Sequence, residues 1–112
     1  MNAPLATRLW LAQRASAALL ALCVAVHLAT MIVAVRGGLS ASAILHRTRG
    51  SLGWTAFYGL FVLALSVHAP IGLRTVAGEW LGWRGGRADV ACAVFGIALL
   101  ALGTLAIVAV TR

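Results

Sequence analysis

Three stretches without a charged side chain, Ala15 to Val35, Trp54 to Leu73 and Val90 to Val110, make up more than half of this 112-residue chain. Each matches the roughly 20 residues that an α-helix, rising about 1.5 Å per residue, needs to cross hydrocarbon. With 62% hydrophobic and 10% charged residues, the sequence has too much apolar surface for a soluble fold to hide. The expected fold class is therefore all-α membrane protein with three transmembrane helices. Helix I is expected over about 13–36, a connector over 37–53, helix II over about 54–79 and helix III over about 89–111. Together they form one transmembrane domain, 1–112, with no internal repeat.

The formal net charge of +7 comes from nine arginines against Glu79 and Asp89. The arginines are scattered at helix ends, not gathered on one polar face, so nucleic acid is not expected as a partner. They suit anchoring to lipid headgroups. Arg8, Arg14, Arg74, Arg84 and Arg87 fall on one side of the membrane, and Arg36, Arg47, Arg49 and Arg112 on the other. That small excess points to a cytoplasmic N-terminus. A secretory leader does not fit the start, because the first apolar run is too long and contains a histidine. Cys23 and Cys92 lie inside spans without a haem-attachment or metal-type pattern and read as buried packing thiols.

The first connector opens with Gly37 and Gly38 and is expected to lie along the interface as a short helix or loop. Trp54 and Tyr58 at the start of helix II, with Trp80 and Trp83 just beyond its end, match the aromatic preference for the headgroup zone. In the second connector the glycines of GWRGGR favour a tight turn, with Asp89 as the cap of helix III. Helices II and III are then antiparallel neighbours.

His27 and His68 are the only ionisable side chains other than cysteine deep in the spans, which makes a functional role the default expectation. The bland alternative is an interhelical hydrogen bond. Ser16, Cys23, Thr30 and Met31 share the His27 face, and Ala64, Gly72, Thr75 and Glu79 share that of His68. Small neighbours leave room for a flat macrocycle. Pro70 cannot donate to the Ser66 carbonyl, so a bend beside His68 is expected. His46, next to Arg47 and Arg49, reads as an exposed interfacial residue.

Depth separates the pair. Counting about 1.5 Å per residue, His27 lies roughly 18 Å from the N-terminal face and His68 about 8 Å from it. Two axial ligands of one upright haem stand nearly level, so each histidine is expected to find its partner outside this chain. A second copy related by a two-fold axis along the membrane normal places each histidine opposite its twin.

Residues Leu11 to Trp80 resemble the membrane-anchor cytochrome b of succinate:quinone oxidoreductases and quinol:fumarate reductases, the complex II family. The resemblance rests on Arg14, Ser16 and a histidine thirteen residues after the arginine, His27. It rests equally on the aromatic pair Phe57 and Tyr58, His68 eleven residues after the first of them, and Gly72 four beyond that. It implies that His27 and His68 are axial ligands of haem b, one or two haems per assembled anchor, and that the chain forms half of a haem-binding helical bundle. Single-chain members use five helices to hold two haems, and two-chain members use three helices per chain with only the helix II histidines as ligands. His68 fits both forms, while His27 fits the two-haem form.

The resemblance also implies quinone as substrate, near Arg14 and Ser16 and near Glu79 and Trp80, which stand where the family often has an acidic residue and a tyrosine. Arg14, Ser16 and Gly72 are alternatively expected beside a haem propionate or in packing. The implied partners are iron–sulfur and flavoprotein subunits and a second membrane-anchor chain, of which an identical copy is one form. The implied location is an energy-transducing membrane, such as the bacterial inner membrane. Rival expectations are a cytochrome b anchor of another respiratory dehydrogenase, a haem-free structural anchor, and a small transporter that uses the histidines as relays.

Overall fold

A computed structural model describes residues 4–112, and these residues form four helices and no strand. They are α1 (Leu5–Gly37), α2 (Ala41–Thr48), α3 (Leu52–Trp80) and α4 (Gly86–Thr111). Of these, α1, α3 and α4 are long and apolar enough to cross a membrane. The N-terminus itself lies outside the described residues.

α1 begins at Leu5, eight residues ahead of the expected start near 13, with the Pro4 carbonyl accepting from Arg8 N–H at 3.1 Å. Leucine, alanine, arginine and glutamine are all strong helix formers, so the helix runs on past the charge that ends the hydrocarbon segment. It stops at Gly37, where Gly38 takes φ 98°. Ser40 then caps α2 by accepting from Ala43 N–H, and Ser51 caps α3 by accepting from Trp54 N–H.

α4 starts at Gly86, not at the expected 89, and Asp89 is not its cap. Gly82 and Gly85, at φ 65° and 99°, complete the reversal first. Asp89 instead lies in the first turn, where its charge suits the helix dipole, and accepts from Arg74 Nε at 2.8 Å.

The long helices pack side by side with α3 in the middle. Gln13 meets Gly72, Ser16 meets His68, and His27 meets Tyr58 and Phe61, which defines one antiparallel register between α1 and α3. Arg74 with Asp89, Pro70 with Gly96 and Val62 with Gly103 define the next, between α3 and α4. Apolar burial drives little between helices in lipid, so close approach of small residues does the holding. The buried positions are accordingly small, including Ser16, Cys23, Ala64, Ala77, Ala88 and Cys92, while large residues such as Leu22 and Leu105 point outward. Both cysteines are free and buried.

Pro70 sits inside α3 against Gly96, where an added Cβ would come within 2.8 Å of the proline ring and 3.2 Å of the Ser66 carbonyl oxygen. The backbone of α4 thus approaches the carbonyl that Pro70 leaves without its helical donor. At the opposite end of α4, the α2–α3 turn and its flanks supply donors to three helix-end carbonyls. Thr48 Oγ1 donates to Val110 O at 2.6 Å, Gly50 N–H to Thr111 O at 2.7 Å and Arg49 Nε to Arg112 O at 3.2 Å. The connector is therefore tied to the fold.

Candidate functional site

The α1–α3 register brings the two membrane histidines to the same helix contact at different depths. His68 lies toward the N-terminal face, where α1 begins and α3 ends, with its Nδ1 3.3 Å from Ser16 Oγ. Ser16 is buried and donates its hydroxyl proton to the Gln13 carbonyl at 3.1 Å. With its proton so placed, that oxygen is free to accept from Nδ1–H of His68, and in that tautomer of the neutral ring Nε2 would carry the free lone pair.

His27 lies further into the span. Its ring packs edge-on against Tyr58 and Phe61, with centroids 6.0 and 5.8 Å away. Its Nδ1 is buried without a hydrogen-bond partner. Beside it is an apolar cavity of about 370 Å³, lined also by Ile44 and Thr48 of α2, Tyr58 and Phe61 of α3, and Ile107 of α4. Tyr58 stacks on Trp54 and forms a wall of this cavity. Since Ser16 is level with His68, the eleven residues from Ser16 to His27 put the two rings about 16 Å apart along the helix axis. One iron cannot bind both.

The remaining expected site residues are dispersed. Arg14 is exposed, with its guanidinium 5.7 Å from the Trp10 ring centroid, and at two residues from Ser16 it points to nearly the opposite side of α1. Gly72 packs against α1, where a Cβ would come within 3.2 Å of Gln13 Nε2. Ala64 is buried, so these two small residues serve helix contact. Glu79 and Trp80 are exposed at the end of α3, about 16 Å beyond His68. Glu79 lines a polar recess of about 290 Å³ with Arg74, Trp83, Arg84 and Asp89. His46 is exposed on α2.

Gln13 was not anticipated. Its Oε1 is buried without a partner, and its side chain lines a groove with Trp10, Gly72 and Arg74. Its spacing of three from Ser16, on the helix face that leads to His27, was the available signal.

A family model described as succinate dehydrogenase/fumarate reductase transmembrane subunit matches residues 1–109. No curated protein and no solved structure gives a significant match.

Proposed function

The chain belongs to the succinate dehydrogenase/fumarate reductase transmembrane subunit family, and on that premise we propose that it is the cytochrome b anchor of such a complex. In this role it binds haem b through His68 and His27 and passes electrons between an iron–sulfur subunit and membrane quinone. The observation that carries the proposal is the state of the two rings. His68 has Nδ1 engaged, which leaves Nε2 for a ligand, while His27 has a buried nitrogen without a hydrogen-bond partner among the described residues.

The donor set fits the group. Each imidazole is partly exposed at the edge of the α1–α3 contact, so His27 and His68 would each hold a haem iron at its own level. Held by imidazoles, haem b would supply one-electron, outer-sphere transfer. The opposing ligands come from a second anchor chain. An identical copy about an axis along the membrane normal sets His27 against His27 and His68 against His68, giving one haem per chain.

We assign the N-terminal face, with five arginines against four, to the cytoplasmic side, where the iron–sulfur and flavoprotein subunits dock. His68 is the nearer histidine to that face. Quinone binds at the same end, where Arg14, Glu79 and Trp80 stand on separate patches. A neighbouring subunit must close the space between them. The chain alone carries no dehydrogenase chemistry.

The test is the visible spectrum of the purified, reduced complex. The proposal predicts the split absorption of low-spin haem b and its loss when His27→Ala and His68→Ala are combined. An unchanged spectrum in that double variant overturns it.

A further inference from the structure

The Ser16–His68 contact carries a more specific conclusion, which rests on the reading of His68 as a haem ligand. We propose that Ser16 is a positioning residue that sets the tautomer and orientation of the His68 ring. Three observations support this. Ser16 Oγ lies 3.3 Å from His68 Nδ1, across the helix interface. Ser16 is only 5% exposed, so water does not compete for the contact. Its single proton goes to the Gln13 carbonyl at 3.1 Å, which turns the oxygen lone pairs toward the ring.

The chemical consequence follows from the two ring nitrogens. With Nδ1–H donating to Ser16, the proton cannot sit on Nε2, and that atom is ready to bind a metal without a prior tautomer change. Donation from Nδ1–H also makes the ring a stronger electron donor, which favours the oxidised iron. One turn further along α3, the approach of Gly72 to Gln13 fixes the same register, so ring orientation depends on how α1 packs on α3. His27 has no such support, since its Nδ1 finds no partner among the described residues. The two histidines are therefore unequal: the chain alone presets His68 and leaves His27 unset.

The experiment compares wild type, Ser16→Ala and Ser16→Thr in the assembled complex, by optical redox titration and low-temperature electron paramagnetic resonance of the oxidised haem. Ser16→Ala is expected to shift the midpoint potential of the His68 centre to more positive values, to change its g-values, and to weaken haem retention by about 10-fold or more. Ser16→Thr, which keeps the hydroxyl, restores all three. Wild-type potential and g-values in Ser16→Ala overturn the proposal. So does equal loss of haem in both variants, because packing rather than the hydroxyl would then be responsible. A wild-type complex without haem, or one whose spectrum survives His68→Ala unchanged, refutes instead the haem assignment beneath it.

Discussion

His27 and His68 stand on facing helices yet about 16 Å apart in depth, because His68 is level with Ser16 and His27 follows eleven residues later on α1. Their replacements are therefore separable. His68→Ala is expected to remove about half of the haem and leave the rest with its own potential, and His27→Ala to remove the other half. A haem assay with a redox titration of each variant checks this. Complete loss from either single change would mean that the two residues act on one centre.

The α3–α4 contact depends on glycine where the helices touch. A Cβ at Gly103 would fall 2.5 Å from Val62 Cγ1, and one at Gly96 would fall 2.8 Å from Pro70 Cγ. Gly96→Ala and Gly103→Ala should each destabilise the chain by about 1–3 kcal/mol through overpacking. Gly59 lies inside α3 with nothing within 4 Å of its Cβ position, so Gly59→Ala should be neutral or stabilising by up to about 1 kcal/mol. Thermal unfolding in detergent ranks the three.

Thr48 ties α2 to the end of α4. It is buried, and its hydroxyl donates to Val110 O. Thr48→Val should cost about 1 kcal/mol and speed hydrogen exchange at the Gly50 amide, which donates to the neighbouring Thr111 O. Exchange at helix-interior amides of α1 should not change.

Arg74 and Asp89 form a close but exposed ion pair, with side chains 45% and 51% accessible. Water and salt screen it, so a double-mutant cycle should give no more than about 1 kcal/mol, falling further at high salt. A larger coupling would show that another subunit buries the pair in the assembled complex.

The three spans were legible in the sequence because stretches free of charge and about 20 residues long have few other uses. Their ends were less so. Charge marks where hydrocarbon stops, not where hydrogen bonding does, and α1 therefore reaches Leu5 past Arg14 and Arg8. Asp89 resembled a cap, but the glycine turn had already closed at Gly85. The faces were harder still, since helices apolar all round carry little amphipathic signal. His27 and His68 stood out because an ionisable ring in hydrocarbon is rare. Their surroundings did not stand out. That Tyr58 meets His27 follows only from the α1–α3 register, and Gln13 is inconspicuous beside Arg14 until its carbonyl is seen to accept from Ser16.

The most direct test of the central claim is the ratio of haem b to this chain in the purified, intact complex. Two copies that pair like histidines at each level predict a ratio of about one. A ratio near one half would remove His27 from the ligand set, and a ratio near zero would contradict the assignment of this chain as a cytochrome b anchor.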